Sequence, residues 1–542
     1  MIQRLLKNLS LITIICAFFG CASGVISNHR PLESDIFLIQ EINNKEEAEK
    51  LIQKVISNFD RNLNYPKLKI TNPFNQSIFP LDIASPTFSW RDGNPYSDTW
   101  LIKISFEGNG SSIYVVTGSN EWTPDKNTWE IIKFNSINSC ATLTILGIAD
   151  KSGGEITSRR TVTFSTSQDK VGAPIVYEQM LLPFAHAQRN SKKMRWLMGD
   201  VSSYEKPRII LMDLPACAKC HSFSTDGSTF GMDVDYKRDK GAYMLAPVRK
   251  KMIISKEDVI TWNDLPPLSD KIPNMGLFSK ISPRGRYVMT TVNEKPFMAI
   301  MDDLYFSQLF FPITGKLAYY SRGEKKFHLL PGADSPDYVQ TSPAWSPDGK
   351  TIIFSRARVN ERLSDVMGEN RLLDVDPKVT IDELNRKYQI QFDIYRVPFN
   401  NGRGGAPEPL DGASGNGKSN YFPRFSPDGR WIVFNQSETG MVAQPSSLLY
   451  IVPAAGGVAR KMTCNTALFN SWHSWSPSGK WLVFTSKVNT PYTELFLTHI
   501  DEAGNDSPPV LLSRFKSANY AAVIPEFVNV RPGKIEYMVF LD

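Results

Sequence analysis

The sequence predicts an all-β chain, a β-propeller of six or seven blades preceded by a β-sandwich, and three observations predict it. One phrase of about seven residues recurs along the C-terminal part. Strand-like segments with Gly-Gly turns follow its copies. Residues 66–168 carry short alternating strands separated by turn residues. The composition is ordinary for a globular chain, with 42% apolar and 21% charged residues over 542 positions. It excludes collagenous, coiled-coil and mostly disordered chains, and the length exceeds one compact core. Lys and Arg number 61 against 55 Asp and Glu without a basic run, which argues against nucleic acid as a partner.

The first element is a targeting segment. Arg4 and Lys7 precede an apolar stretch from Leu9 to Phe19, shorter than the ~20 residues that span a bilayer, so residues 1–20 read as a secretory signal. Phe18-Phe19-Gly20-Cys21 resembles the bacterial lipobox, although Phe18 departs from the usual Leu. The resemblance implies a lipid on Cys21, hence membrane attachment through the N-terminus. It also implies a place in the cell envelope, facing the periplasm or the cell surface. A plain signal cut nearby would export the chain equally. Residues 21–65 read as a polar tether with one short helix, Lys45 to Phe59, whose Leu51, Ile52, Val55 and Ile56 form an apolar stripe.

Strands follow at Thr87–Trp90, Trp100–Ile104, Ser112–Val116, Ala141–Ile148 and Thr161–Ser165. Their turn residues recur at roughly 8–12-residue intervals, the pattern of a sandwich. The opening Pro86…Phe88-Ser89-Trp90 and the closing Val162–Thr166 resemble a fibronectin-type or immunoglobulin-like module over residues 66–168.

Residues 169–542 are repetitive. Ala344-Trp345-Ser346-Pro347-Asp348-Gly349-Lys350 returns as Arg424-Phe425-Ser426-Pro427-Asp428-Gly429-Arg430 and as Ser474-Trp475-Ser476-Pro477-Ser478-Gly479-Lys480. Weaker copies begin at Lys280 and Ser222. Each is a strand end, a tight turn and a second strand, hence a hairpin. Further hairpins turn at Gly404-Gly405 and Gly456-Gly457, and two hairpins make a four-stranded blade. Ile175 to Met212 supply strands or a lead-in, and Ile535–Phe540 closes a sixth blade or completes an earlier one. Val359 to Tyr388, charged and helix-prone, is an insertion. The phrase resembles the TolB-type, WD40-like propeller repeat, and the resemblance spans about residues 215–542.

Gly412–Ser419 matches the P-loop pattern literally, but Pro407 and Pro409 precede it and Tyr421-Phe422-Pro423 follows it. A phosphate loop needs a strand before it and a helix after it, so a surface loop is expected. There is no Gly-x-Ser-x-Gly elbow and no His-Glu-x-x-His, and the Asp of each phrase is a turn residue.

Cys217-Ala218-Lys219-Cys220-His221 fits the c-type haem attachment motif. Two thiols add across the haem vinyl groups, and the adjacent imidazole reaches the iron. A redox Cys-x-x-Cys would need a βαβ context, and a zinc site a second Cys/His pair; both are absent. One covalent haem c is therefore expected, held by Cys217, Cys220 and His221. The stretch from Pro183-Phe184 through Arg195-Trp196 and the motif to Met232–Asp235 is similar to a family of exported bacterial haem-motif propellers, which implies architecture and no reaction. Aligning Phe223 with Trp345, Phe425 and Trp475 aligns His221 with His473. Both histidines are then expected to project toward the central channel, with His473 as a candidate distal iron ligand. Met232, Met198 and Met194 are its rivals, and an open position is a third outcome. His186, His328 and His499 read as ordinary histidines.

The leading reading is electron transfer through one haem with an unnamed redox partner. Its rival is a non-redox propeller scaffold that binds a protein or envelope polymer, with Cys217 and Cys220 disulfide-bonded.

Overall fold

A computed structural model describes residues 34–39, 45–60, 62–149, 154–213, 218–269 and 272–540. Cys21, the signal segment and Cys217 lie outside the described residues.

The N-terminal unit is a β-sandwich. A six-stranded sheet runs in the order 36–39, 112–117, 99–106, 141–149, 155–166, 77–79, and a three-stranded sheet of 69–72, 88–91 and 121–122 faces it. Phe79, Phe88, Trp90 and Phe164 fill the space between the sheets, joined by Trp129 from the helix Lys126–Asn135. That helix starts where the Asp125 side chain accepts from the Asn127 and Thr128 amides, an N-cap. Residues expected as tether belong to this unit. Ile36–Ile39 adds a parallel edge strand beside Ser112–Thr117, and the helix Lys45–Asn58 lays Leu51, Ile52 and Val55 on the sheet's other face.

The remainder is a six-bladed propeller. Blade 1 is made from both ends of the domain. Its three outer strands are Ile175–Met180, Arg195–Gly199 and Arg208–Leu211, and its innermost strand is Ala521–Phe527. Blades 2 to 6 follow in chain order with inner strands Ala218–Phe223, Leu277–Ile281, Tyr338–Trp345, Ser419–Phe425 and Asn470–Trp475. These six inner strands are successive neighbours around a ring. The ring is closed by chain ends hydrogen-bonded within one blade, which leaves few open sheet edges. Ile535–Phe540 does not close it. Its Tyr537–Phe540 strand pairs in parallel with Lys251–Ile254 outside blade 2, because Ala521–Phe527 already holds the inner place.

The recurring phrase builds the inner turns of blades 2, 4 and 5 by the same bonds. In blade 4 the Ser346 hydroxyl donates to Asp348 at 2.6 Å and accepts from the Thr351 amide at 2.9 Å, while Gly349 takes φ 72°. Ser426 with Asp428 and Ser224 with Asp226 repeat the arrangement. The side chains thus satisfy a turn that would otherwise leave buried polar groups unpaired.

Two additions cover one mouth of the ring. The hairpin 287–300/308–321 overruns blade 3, and the insertion folds as two short helices, Glu361–Met367 and Ile381–Lys387. Leu363, Met367, Ile381, Leu384 and Tyr388 share an apolar cluster with Phe278, Phe422 and Phe469. Lys295 ties the cap down by donating to the Ser364 and Gly368 carbonyls. The sandwich docks elsewhere, on the flank of blades 6 and 1, where its core continues into Ile175, Tyr177, Trp481 and Leu495. The His499 imidazole meets the Asp169 carboxylate there at 2.7 Å. Gly412–Ser419 is a loop with a strand after it, and Lys418 pairs with Glu438 at 2.6 Å.

Candidate functional site

All six inner strands carry an irregularity at one level of the ladder. It falls between Ala218 and His221, Leu277 and Lys280, Thr341 and Ala344, Tyr421 and Arg424, and Ser471 and Ser474, and opposite Val176–Glu178 in blade 1. Such bulges re-aim side chains and are common beside sites. Here they set a shared register of four positions, read from the covered mouth outward.

The first position holds Cys220, Phe278, Ser342, Phe422, Trp472 and Ile524, and the third holds Ser222, Lys280, Ala344, Arg424, Ser474 and Glu526; all twelve line the central channel. The first ring is largely aromatic, with Phe422 stacked on Trp472 at 4.8 Å and edge-on to Phe278 at 5.2 Å. The third is polar and charged. Lys280 pairs with Glu526 at 3.3 Å and donates to the His221 carbonyl at 3.2 Å. Burial pushes the Glu526 carboxyl pKa up, and the cations of Lys280 and Arg424, with His221, more than reverse this, so it lies below the usual carboxylate range. Burial lowers the Lys280 pKa, and Arg424 lowers it further. The cavity measures about 280 Å³ and opens at the face of the Ser-Pro turns, rimmed by Pro347, Pro427 and Pro477.

The second position holds His221 and His473; His473 borders the cavity as well, but its ring nitrogen, like the His221 ring, is turned into a seam between blades. Successive residues of a strand point to opposite faces, so a residue between two channel-lining positions faces the seam between blades. His473 Nε2 meets the Val433 carbonyl of blade 5 at 3.0 Å. His221 is fully buried between blades 2 and 1, where the Val176 carbonyl stands in the place of Val433. The contact to the Val176 carbonyl is loose, and neither ring nitrogen of His221 makes a hydrogen bond of normal geometry with a described residue. The expectation that both histidines project toward the channel is therefore corrected: the register holds and the face is reversed. The two rings lie in different seams, which removes His473 as a ligand across the channel from His221. Met232, directly opposite His221 in the ladder, rises from the same face of the sheet and cannot stand trans to it. Met198 belongs to the same apolar layer, and Met194 is buried.

Burial lowers the pKa of both imidazoles, to about 4 for His221 and about 3 for His473, so both are neutral at pH 7. The donor set around Cys220 fits a haem iron in its chemistry. A neutral imidazole whose two nitrogens make no hydrogen bond of normal geometry with a described residue follows directly on a cysteine that lines an aromatic channel. In the paired strand those two side chains stand on opposite faces.

Sequence reasoning missed Lys280, Arg424 and Glu526. Lys280 and Arg424 each precede the last residue of an aligned inner strand, so the alignment held a signal; Glu526 had none, because no Ser-Pro-Asp-Gly follows Phe527.

No family model matches the chain, and no curated protein matches it. Solved structures similar to it include TolB from Acinetobacter baumannii, at 12% identity and TM-score 0.40 over 92% of this chain and 98% of that one. A putative TolB from Agrobacterium tumefaciens is similar at 16% identity and TM-score 0.34, over 66% and 99%. Kuenenia stuttgartiensis hydrazine synthase is similar at 14% identity and TM-score 0.28, over 54% and 79%. These likenesses are weak, and the propeller assignment rests on the strand order of the chain itself.

Proposed function

We propose that this chain is a c-type haem protein of the cell envelope, working in one-electron transfer. Cys217 and Cys220 would hold the haem, His221 would be its axial ligand, and a lipid on Cys21 would anchor the chain. The observation that carries the reading is His221, a buried, uncharged imidazole whose nitrogens make no hydrogen bond of normal geometry with a described residue, one residue after a channel-lining cysteine. An orphaned buried polar group is costly, and metal ligation is one way to satisfy it. When bound, the haem iron supplies a reversible one-electron couple whose potential its ligands and surroundings tune.

The chain's own part is to hold and shield. The aromatic ring of Phe278, Phe422 and Trp472 offers an apolar wall beside Cys220. Ligation asks one local change. Cys220 and His221 must come to one face, so the start of the Ala218–Phe223 strand, already irregular between Ala218 and His221, must leave its partner strand. No sixth ligand is assigned.

The test is the chain produced with a cytochrome c maturation system. It should keep a Soret band after acid–acetone extraction, Cys217→Ala or Cys220→Ala should weaken attachment, and His221→Ala should change the iron spectrum. Colourless wild-type protein from such cells refutes the reading and leaves the propeller as a non-redox scaffold, for which the channel is the binding feature.

A further inference from the structure

We propose that the half of the channel formed by blades 3, 4 and 5 binds a carboxylate carried on an apolar body, with Arg424 as its anchor.

A belt of hydrogen bonds links neighbouring inner strands on one side of the channel. The third-position side chain of one blade accepts from the fourth-position amide of the next. Glu526 accepts from the Phe223 amide at 2.8 Å, Ser222 from Ile281 at 3.2 Å, and Ser474 from Phe527 at 3.1 Å. These seams join blades 6, 1, 2 and 3. In the other half the third-position residues are Lys280, Ala344 and Arg424, whose side chains are two cations and a methyl group. None can accept a hydrogen bond. The shared register turns the Trp345, Phe425 and Trp475 amides the same way, and none of them finds a side-chain acceptor among the described residues. The belt is complete on one side of the channel and lacks its acceptors on the other, and Ala344 leaves space where one would stand.

The charges point the same way. Lys280 and Arg424 are positive and Glu526 negative, so the ring carries one net positive charge. Glu526 is engaged by Lys280 and by the Phe223 amide. Arg424 is partly buried and feels the Glu526 carboxylate, yet its guanidinium donates no hydrogen bond to and closes no ion pair with a described residue. Its neighbours on the ring are the small Ala344 and Ser474, and Ser222 stands across from it. A guanidinium fork in such a place matches a planar carboxylate in two parallel bonds. One net charge suits a monoanion better than a dianion. On the covered side of Arg424, Phe278, Phe422 and Trp472 would take an apolar body, and a cavity of about 280 Å³ suits a small molecule entering from the open face. The site does not depend on the haem reading. The carboxylate could belong to a free ligand or to the propionates of a haem attached at Cys220, and the test separates these sources.

The experiment is calorimetric titration of 3-phenylpropionate into the full chain, prepared with and without haem maturation, with inorganic phosphate as the comparison anion. The chain without haem should bind 3-phenylpropionate more tightly than phosphate. Arg424→Gln should weaken binding roughly tenfold or more, and Arg424→Lys should weaken it less. Ala344→Glu, which places a carboxylate in the vacant position, should abolish binding and raise the melting temperature, an effect a misfolded variant would not show. Loss of binding only in haem-loaded protein assigns the site to propionates; binding in both assigns it to a free ligand. No uptake by the wild-type chain without haem overturns the proposal. So does equal affinity of wild type and Arg424→Gln, and so does phosphate binding as tight as 3-phenylpropionate. If maturation yields only colourless protein, the haem reading fails while this test stands unchanged.

Discussion

Blades 2 and 6 place a histidine at the same position of the inner strand, and both rings turn into the seam with the preceding blade. In the 6–5 seam the imidazole closes a 3.0 Å hydrogen bond to the Val433 carbonyl. The 2–1 seam offers the corresponding carbonyl of Val176, but the His221 ring meets it only loosely and makes no hydrogen bond of normal geometry with a described residue. One backbone register therefore gives a well-formed hydrogen bond from one ring nitrogen in the 6–5 seam and only a loose contact in the 2–1 seam. The difference teaches that register assigns the face a side chain takes, whereas its role depends on what meets it there.

The largest effect is expected when each imidazole is removed from the chain made without haem. His473→Ala strands a buried carbonyl and opens a cavity, and should cost about 3 kcal/mol in urea unfolding. His221→Leu loses only the loose contact to the Val176 carbonyl and replaces a poorly satisfied polar ring with apolar volume, so it should change stability by less than about 1 kcal/mol or raise it. Equal losses at the two sites would show that the seams do not differ.

Titration gives a second contrast. Both folded-state pKa values lie below the ordinary 6.5, so the unfolded chain takes up protons first as the solution is acidified. Stability from these two groups is full above pH 6.5 and falls as pH drops toward about 4 for His221 and about 3 for His473. Chemical unfolding followed across that range should show a shallower decline in His221→Leu. Glu178, raised to about 8 by burial, acts with the opposite sign. It holds a proton in the folded chain, so its contribution declines as pH rises from 4.5 toward 8, and Glu178→Gln should flatten the alkaline limb.

The smallest expected effect compares turns. Blade 6 has Ser478 where blades 4 and 5 have Asp348 and Asp428, and its Ser476–Ser478 contact is 2.9 Å against 2.6 and 2.5 Å. Ser478→Asp should therefore raise stability by about 0.5 kcal/mol, while Ser346→Ala should cost about 1 kcal/mol. Thermal unfolding of the two variants, in opposite directions, checks this.

Much of the architecture was legible because its units are local. Each Ser-Pro-Asp-Gly turn is closed by side chains within five residues of one another, so the phrase carries its own hairpin. The alternating strands of the sandwich were equally readable, whereas the helix Lys126–Asn135 within it was missed. Of the two places expected for Ile535–Phe540, closing a blade or completing an earlier one, it does not close the ring but pairs beside blade 2. The closing strand Ala521–Phe527 was not legible, since it lacks the phrase and its inner position follows only from pairing with Ile175–Met180, more than three hundred residues earlier. The channel charges were hidden for a related reason. Lys280, Arg424 and Glu526 differ in type and stand far apart in the chain, and only the ring brings them to one level.

By itself the amino-acid order determined the repeat, the register that aligns His221 with His473, and the Cys217–His221 motif. All of these depend on residues a few positions apart. Tertiary structure decided which face each aligned residue takes, which strand closes the ring, and where one side of the channel lacks hydrogen-bond acceptors. Those outcomes depend on a two-residue alternation counted from a bulge and on contacts between distant blades, neither of which is written in any local stretch of the chain.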